Sequence, residues 1–418
     1  MSKDAEMVLS ETMRGEWPRL VAASMRILND LQAAEDIVQD TLLSALDRWP
    51  LGGVPDQPGA WLMTACRRRA LNALRDRQRE ANRIRTLADE LRSQDKPDGG
   101  RSAQPVILDD RLRLIAMCCH PVLPFDARVA LTLRMVAGLT TEQIAAAFHE
   151  PAATTAQRLV RAKRTLRANK IAFATDEIDL PARLAAVLDV LALVFNEGYI
   201  ANTGHTLTRT DLAEESYRLT SLLTVVAAGE PEPWALHALQ SFHLSRWDTR
   251  TDDDGNLLTL DKQDRNRWSA VLINSGIQSL HRARQLARQP CRLLIEAELA
   301  GCHARAPTFE DTDWQTIIEL YDELMRLDPT PVVELNRAVA VAIRDGPAAA
   351  LPALDRLTQD PALATSHRVW AVRADLYRRL NHTSRADEDY RRALQLVGND
   401  IERAYLTQAR QRLKETRS

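Results

Sequence analysis

The chain has 418 residues, of which 27% are charged, and its formal net charge is only −2. A chain of this length accommodates about two to four domains. Its N-terminus lacks the apolar core of a signal peptide, and no segment approaches the ~18 uninterrupted apolar residues of a membrane span, so neither secretion nor membrane insertion is expected.

Helical periodicity dominates the sequence. Aromatic residues make up only 5% of the chain, and no run of alternating β-branched residues indicates a strand. Long segments rich in Ala, Leu, Arg, Asp and Glu instead repeat apolar positions every ~3.6 residues. We therefore predict an all-α protein in which two small helical domains precede a larger domain of helical repeats.

The cysteines show neither paired CxxC spacing nor an even framework, which favours reduced thiols in the core. One cluster, Cys118, Cys119 and His120, contains metal-ligating residue types, but adjacent ligands cannot close a tetrahedral site. We expect no metal and no other cofactor. The five cysteines are Cys66, Cys118, Cys119, Cys291 and Cys302.

Positive charge is concentrated in two short segments. Residues 61–92 hold nine arginines and four acidic residues, for a net +5, and residues 151–170 hold six cations and no acidic residue, for +6. Because the whole chain carries −2, the remaining residues carry −13. Two basic segments in an otherwise acidic protein are typical of two separate DNA contacts joined to a body that binds no DNA.

The first predicted domain, residues 10–85, contains an amphipathic helix that follows Asp30 and reaches Trp49. Asp30 is a favourable N-cap residue. One face of this helix is apolar, and the other is an acidic face suited to a basic partner. The acidic face contains Glu35, Asp36, Gln39, Asp40 and Asp47.

A Pro- and Gly-rich loop, Pro50–Gly59, is predicted after this helix. The next helix begins with AWLMTACRRRALNALRDRQRE and places apolar residues such as Leu62 and Leu74 toward a core. Its outward positions are rich in arginine. Because the loop lies next to this arginine-rich helix, we expect it to have a function beyond connecting two helices. These positions are Arg67, Arg68, Arg69, Asn72, Arg75 and Arg79.

Residues 86–107 are polar and contain Gly and Pro, a composition that predicts a flexible linker. The following domain, residues 108–170, ends with GLTTEQIAAAFHEPAATTAQRLVRAKRTLR. Its two amphipathic helices, the second beginning at Pro151, predict a helix-turn-helix. Because the second helix is strongly cationic, we expect it to dock on DNA. A solvated basic helix within a bundle is the alternative.

From about residue 182 to residue 418, the pattern changes to antiparallel helical hairpins without basic clusters. The segment WAVRADLYRRLNHTSRADEDYRRALQLVGN has residues at the offsets of a tetratricopeptide repeat, where small residues let two helices approach and aromatic residues fill the gap. Two weaker units precede it, and a plain helical bundle is the alternative. The residues at these offsets are Trp370, Ala374, Tyr377, Ala386, Tyr390 and Ala393.

Together these segments resemble a bacterial RNA polymerase sigma factor of the extracytoplasmic-function (ECF) type, in the subgroup with an appended tetratricopeptide-like domain. The region 2 helix that docks on core polymerase is similar to AEDIVQDTLLSAL, and the helix that reads the −10 element is similar to PGAWLMTACRRRALNALRDR. Region 4, which reads the −35 element, is similar to the helix-turn-helix segment. His149 and Glu150 depart from the pattern, because many region 4 domains have Gly and an aliphatic residue at these turn positions.

The resemblance implies roles for individual residues. Contact with core polymerase would fall to Glu35, Asp36, Gln39 and Asp40. The −10 element would be bound by Trp61, Arg67, Arg68, Arg69, Asn72 and Arg75, with Trp61 and the Pro50–Gly59 loop forming a pocket for an extruded base. The −35 element would be read by Thr154, Thr155, Gln157, Arg158 and Arg161, with Lys163, Arg164 and Arg167 on phosphates.

The expected partners are core RNA polymerase and promoter DNA, in the cytoplasm and away from any membrane. An intramolecular contact between the C-terminal domain and the sigma domains is also expected; it would mask or brace them, and bracing is favoured. The main alternative is a helix-turn-helix regulator with a helical-repeat sensor domain. A repeat scaffold or an enzyme is a further alternative, but the sequence has no HExxH, Walker, GxSxG or GxGxxG motif, and no catalytic residue is expected.

Overall fold

A computed structural model describes residues 3–89, 110–147, 150–169, 171, 180–199, 210–363 and 365–415. The all-α prediction is confirmed: within these ranges the regular elements are helices, and strand pairing is limited to one isolated bridge between Thr251 and Leu257. The chain divides into two compact units, Met1–Val194 and Phe195–Ser418. None of the described helices is both long and apolar enough to cross a membrane.

The first unit begins with three long helices that pack on one another. The central core consists of side chains that are nearly inaccessible to solvent, among them Leu20, Met25, Val38 and Leu62. These positions follow the helical apolar period, so each helix turns one face inward. The helices are α1 (Lys3–Leu28), α2 (Leu31–Gly52) and α3 (Pro58–Asp89).

The predicted N-cap of α2 is present. The Asp30 carboxylate accepts a hydrogen bond of 3.1 Å from the backbone N–H of Ala33, which satisfies one of the free donors of the first turn. Asn29 adopts a φ of +49°, and this left-handed residue permits the sharp turn between α1 and α2.

Two predicted boundaries were wrong by several residues. The loop Pro50–Gly59 is shorter than predicted, because Pro50 lies in the last turn of α2 and Pro58 is the first residue of α3. A proline at a first helical position costs no hydrogen bond, because that N–H has no partner within the helix. The linker predicted at residues 86–107 begins later, since α3 continues to Asp89; the rest of it lies outside the described residues.

A second group of helices completes the first unit. A capping box begins the helix-turn-helix: the Thr140 hydroxyl accepts from the N–H of Gln143 at 3.2 Å, and the Gln143 amide accepts from the N–H of Thr140 at 2.9 Å. The helices are α4 (Asp110–Cys118), α5 (Phe125–Met135), α6 (Thr141–Ala147) and α7 (Ala152–Ala168), followed by α8 (Leu180–Tyr199), whose last five residues belong to the second unit.

The second unit consists of helices joined mainly by short connections. Gly276 allows two of them to approach closely, since a Cβ atom there would lie 2.6 Å from the ring of Phe242. The helices are α9 (Thr210–Val226), α10 (Pro231–Ser245), α11 (Ala270–Leu286), α12 (Arg292–Arg305), α13 (Trp314–Leu327), α14 (Pro331–Arg344), α15 (Pro347–Leu357), α16 (His367–Arg379), α17 (Thr383–Leu396) and α18 (Asp400–Glu415).

Consecutive helices of the second unit share small apolar cores. At the interface of α16 and α17, Ala374 and Ala386 are fully buried and Tyr390 is 3% exposed, so small residues do lie where the helices approach and an aromatic ring fills the remaining space. The preceding pair, α14 and α15, shares a core that includes Ala338, Ala350 and Leu354.

Candidate nucleic-acid interface

The cationic helix α7 presents one face to its neighbours and the other to solvent. Thr155, Leu159, Ala162 and Leu166 are buried and hold the helix against the rest of the unit. This places Thr155, one of the residues predicted to contact the −35 element, on the inner face of α7. The exposed predicted contacts are Thr154, Gln157, Arg161, Arg164 and Arg167.

Glu150 organises the start of α7. Its carboxylate accepts hydrogen bonds from both terminal nitrogens of Arg158, at 2.6 and 2.7 Å, and from the hydroxyl of Thr155. The bond from Thr155 and the pairing with Arg158 lower the pKa of Glu150. The Arg158 guanidinium is therefore already paired with a carboxylate. It makes two hydrogen bonds to that carboxylate, as arginine also does when it binds guanine. His149 lies outside the described residues.

Glu35 joins the two halves of the first unit. Its side chain is only 4% exposed, and its two oxygens contact Arg134 of α5, at 2.7 Å, and Lys163 of α7. Arg134 and Lys163 are 16% and 12% exposed. Glu35 was predicted to contact polymerase and Lys163 to contact DNA phosphate, but in this structure the two side chains contact each other.

The packing around Arg134 extends this junction. The indole N–H of Trp17 donates to the carbonyl of Arg134 at 3.1 Å, and the Arg134 guanidinium lies 5.4 Å from the centre of the Trp17 ring. Gly138, with a φ of +65°, follows α5, and a Cβ atom there would lie 3.2 Å from the same ring. The structure thus packs the first three helices against the helix-turn-helix through one aromatic side chain and a small ionic cluster.

A second, weaker ionic contact lies at the edge of this junction. The carboxylate of Asp30 is 3.8 Å from Arg167 of α7 and 3.7 Å from Arg77 of α3. Because Arg167 is 80% exposed, this pair contributes little stability and leaves the guanidinium accessible to an anion.

The arginine-rich face of α3 has a different environment. Arg67, Arg68 and Arg75 are exposed, and Arg75 donates a 3.1 Å hydrogen bond to the amide oxygen of Asn72. Arg69 is half-buried and donates to the hydroxyl of Ser44. Among the residues that the structure describes, no carboxylate pairs with Arg67, Arg68 or Arg75.

Trp61 lies at the start of α3, where the predicted base pocket was placed. It packs edge-on against Trp49, with ring centres 5.7 Å apart and planes at 71°, and remains half-buried. An aromatic side chain beside an arginine face can stack with an unpaired base while the arginines bind the adjoining phosphates.

The residues of α2 that were predicted to contact polymerase differ in their exposure to solvent. Asp36, Gln39 and Asp40 are exposed, whereas Glu35 is buried in the junction. Local sequence patterns cannot predict this difference, because Glu35 lies 99 residues from Arg134 and 128 residues from Lys163. A helical period assigns residues to faces but does not identify which face another part of the chain covers.

The two cysteines at the C-terminal end of α4 are core residues. The thiols of Cys118 and Cys119 are buried, and this burial raises the pKa of Cys119 to about 12. Cys119 lies 3.7 Å from the carbonyl of Ala186, and Arg183 donates to the carbonyl of Ala116 at 3.1 Å, so the first half of α8 packs against the C-terminal end of α4. Within the described ranges, no group of three potential metal ligands is found.

Comparison with known proteins gives matches to three segments of the chain. Residues 15–80 match sigma-70 region 2, residues 113–166 match sigma-70 region 4, and residues 183–284 match a family of unknown function, DUF6596. No solved structure matches the chain. The arginine face of α3 and the helix-turn-helix each lie within a segment that matches a sigma-70 region, and these matches support a role in transcription initiation.

Two relatives place the chain more closely. An uncharacterized protein of Rhizobium meliloti (strain 1021) is 38% identical over 391 residues, which cover 93% of this chain and 92% of that protein. The chain belongs to the same family as this protein. A protein described as a probable ECF RNA polymerase sigma factor SigI, from Mycobacterium tuberculosis, is 29% identical over 164 residues, covering 39% of this chain and 56% of that protein.

Proposed function

We propose that this protein is an ECF-type sigma factor: it binds core RNA polymerase and directs promoter-specific initiation by reading −35 and −10 elements. The observation that carries the proposal is the pairing of an exposed arginine face on α3 with an exposed cationic face on α7, each within a sigma-70 region. The similarity to the Mycobacterium protein supports the ECF type. A sigma factor acts where polymerase and chromosome are, so we place the protein in the cytoplasm.

The −35 element would be read by the first turns of α7. Thr154, Gln157 and Arg161 are exposed there and can reach base edges in the major groove, while Arg164 and Arg167 are placed for phosphates. Arg158 would join them by exchanging the Glu150 carboxylate for DNA. The burial of Thr155 supports a structural role, in which its hydroxyl orients Glu150.

The −10 element would be bound at α3. Strand opening costs the lost stacking of each extruded base, and stacking on Trp61 together with binding of phosphates by Arg67, Arg68 and Arg75 would offset that cost. Asp36, Gln39 and Asp40 of α2 form the exposed acidic surface for polymerase. No step in this mechanism requires a catalytic residue.

Engagement of promoter DNA by Lys163 would require the junction at Glu35 to open. Lys163 is 12% exposed and contacts Glu35, so it reaches a phosphate only after this ion pair separates. Binding of α2 to polymerase would supply the free energy for separation, because the same helix carries both Glu35 and the proposed polymerase surface.

The second unit would modulate this activity as a tetratricopeptide-like domain. This proposal is supported by Ala374, Ala386 and Tyr390, which are buried together in a core shared by α16 and α17. We favour bracing of the sigma regions over masking of their arginines. Because Arg183 and Ala186 contact Ala116 and Cys119, a truncation that removes the second unit should end at residue 194, after these contacts.

Transcription by core polymerase tests the role of the second unit. Bracing predicts less transcript from the chain ending at residue 194 than from the full chain, and masking predicts more. Equal transcription would contradict both and leave the second unit as a separate interaction module. Thermal unfolding of the shortened chain provides the control, since a loss of transcript counts only if the first unit remains folded.

Complex formation with core polymerase separates the proposal from its main alternative. A conventional helix-turn-helix regulator binds DNA without polymerase, usually as a dimer on a palindrome. Size-exclusion chromatography of the full chain with purified core polymerase should therefore give one stable complex. Absence of this complex, combined with binding to a palindromic DNA site, would favour the regulator.

A further inference from the structure

A cluster of cationic side chains lies inside the second unit, where neither sigma region extends. Arg246 and Arg250 follow α10, and Arg265 belongs to a short helical turn, Arg265–Arg267. Two histidines accompany them: His243 near the end of α10 and His303 near the end of α12. We refer to these five residues as the cationic cluster.

The ring of Tyr199 forms one side of the cluster. The guanidinium carbon of Arg250 lies 3.9 Å from the centre of this ring, and that of Arg246 lies 5.7 Å from it. The rings of Tyr199 and His243 are 4.9 Å apart. Arg250 is only 7% exposed and donates to the backbone carbonyl of Tyr199. Two guanidinium groups therefore converge on one buried aromatic side chain.

Arg265 extends the cluster toward α12. It donates to the carbonyls of His303 and Ala306, at 2.7 and 2.8 Å, and its guanidinium lies 4.8 Å from the ring centre of Trp268. The helical turn Trp247–Thr249 contacts the turn Arg265–Arg267, so the two ends of the cluster lie close together. In addition to burial, the charge of Arg246 lowers the pKa of Arg250, Arg265 and both histidines.

The positive charge of these arginines lacks a partner of opposite sign. Among the described residues, no carboxylate oxygen lies within salt-bridge distance of Arg246, Arg250 or Arg265, whose hydrogen bonds go to neutral acceptors. The carboxylates that act on these arginines do so at longer range: Glu402 on Arg250, and Glu310 and Asp311 on Arg265. Residues 200–209, which follow Tyr199, contain no Asp or Glu. Burial of unpaired charge is destabilising unless an anion compensates it.

Other polar groups around the cluster also lack partners. Within the described part of the chain, the hydroxyl of Tyr199, the indole N–H of Trp268 and Nδ1 of His303 are buried and make no hydrogen bond. Tyr199 is 4% exposed and Trp268 is 6% exposed. Burial and the neighbouring arginines lower the pKa of His243, and they lower that of His303 to about 4. Buried polar groups are normally hydrogen-bonded, so several unsatisfied donors in one place indicate a missing acceptor.

We propose that the cationic cluster is a binding site for a small multivalent oxyanion, such as a phosphate monoester or a dicarboxylate. Planar guanidinium groups bind carboxylate and phosphate oxygens through two parallel hydrogen bonds, so Arg246 and Arg250 suit either group. The Tyr199 hydroxyl and the Trp268 N–H would donate to further oxygens of the same ligand. Occupation of the site would make the second unit a ligand-responsive domain. The proposal stands whether or not the protein is a sigma factor.

Binding of simple anions to the full chain tests this site. Inorganic phosphate and succinate are titrated by calorimetry at constant ionic strength, with sodium chloride as the ionic control. Thermal unfolding is followed at the same concentrations, because a ligand that binds only the folded state raises the melting temperature. Phosphate alone, succinate alone or both should bind, and the stronger of the two identifies the headgroup of the natural ligand.

Substitution of the arginines assigns binding to the cluster. Arg246→Gln and Arg250→Gln should each weaken anion binding by about 30-fold or more, since loss of one member of a desolvated charge pair costs more than a tenfold change in affinity. Arg337→Gln is the matched control, because this arginine pairs with Asp322 outside the cluster. It should bind the anion as the parent chain does.

Three results would overturn the proposal. One is the absence of heat and of thermal stabilisation with both anions in the parent chain, a result that requires no variant to fold. Another is equal stabilisation by chloride, which would indicate a general salt effect. The last is unchanged anion affinity in Arg246→Gln, a half-buried position at which the folded state tolerates substitution better than at Arg250.

Discussion

The two cationic helices of the first unit differ in how their charge is compensated. On α3, Arg67, Arg68 and Arg75 project into solvent without a carboxylate partner among the described residues. On α7, Arg158 is held by Glu150 and Lys163 by Glu35. The arginines of α3 can bind phosphates directly. On α7, Arg158 and Lys163 must first leave their carboxylate partners.

This difference has an energetic consequence for DNA binding. A guanidinium or ammonium group that leaves a protein carboxylate for a phosphate gains only the difference between the two interactions. Region 4 should therefore bind an isolated −35 duplex weakly and gain affinity once polymerase has separated Glu35 from Lys163. The arginines of α3 should show no such dependence.

The largest effect is expected from removal of Glu35. Glu35→Ala leaves Arg134 and Lys163 partly buried without their anion, and loss of one partner from a buried ion pair costs about 3–5 kcal/mol. The cost appears as loosened packing between α2 and helices α5 and α7, measured by chemical denaturation and by amide hydrogen exchange.

Asp36→Ala is the matched control for Glu35→Ala. Asp36 is the next residue of the same helix, but it is exposed and accepts its hydrogen bond from Gln32 at 2.8 Å. Its substitution should change the unfolding free energy by less than about 0.5 kcal/mol. Equal stability of the two variants would show that the Glu35 junction is absent in solution.

A smaller effect is expected from the exposed reading face of α7. Arg161→Ala should cost about 1–3 kcal/mol on a matched −35 duplex if it reads a base. Arg158→Ala should cost less than Arg161→Ala, since Arg158 must leave Glu150 to bind. Fluorescence anisotropy with matched and mismatched duplexes measures both. A larger loss for Arg158→Ala than for Arg161→Ala would reverse the assignment.

Gly138 offers a test of the same junction from the side of Trp17. Gly138→Ala imposes a left-handed φ on a residue with a Cβ atom and pushes that atom toward the indole ring, at an expected cost of about 1–2 kcal/mol. Gly229→Ala is the control, because its Cβ atom would meet no neighbour. A lower melting temperature for Gly229→Ala than for Gly138→Ala would contradict this packing.

The smallest effect concerns pH and Glu150. Because hydrogen bonds lower its folded pKa, Glu150 stabilises the fold above its unfolded pKa of about 4.3, and this contribution disappears as pH falls through the lower folded value. The pair is partly exposed, so the difference should be below about 1 kcal/mol. Unfolding of the parent chain and of Glu150→Gln should converge in acid; a constant difference would exclude this linkage.

Local sequence signals predicted much of the first unit. The Asp30 cap, the inward positions of α7 and the arginine face of α3 follow from capping chemistry and the 3.6-residue period, which involve neighbours a few residues apart. The Glu35 junction and the cluster around Arg250 could not be predicted in this way. Both depend on residues that are distant in the chain and meet only through tertiary packing.

Local sequence patterns also failed to predict some helix boundaries. Pro50 suggested a loop, yet it occupies the last turn of α2, where packing of Trp49 against Trp61 favours continuation of the helix. The burial of Thr155 could not be predicted either, because a threonine at the start of a recognition helix can contact a base or form a buried hydrogen bond.

Run-off transcription with purified core polymerase tests the proposed function most directly. The template should carry a promoter selected by binding to the full chain, and start sites should be mapped. We predict a discrete transcript that requires the added chain and is reduced when Arg67 and Arg68 are both changed to Ala. The same transcripts with and without the chain would contradict a role as a sigma factor.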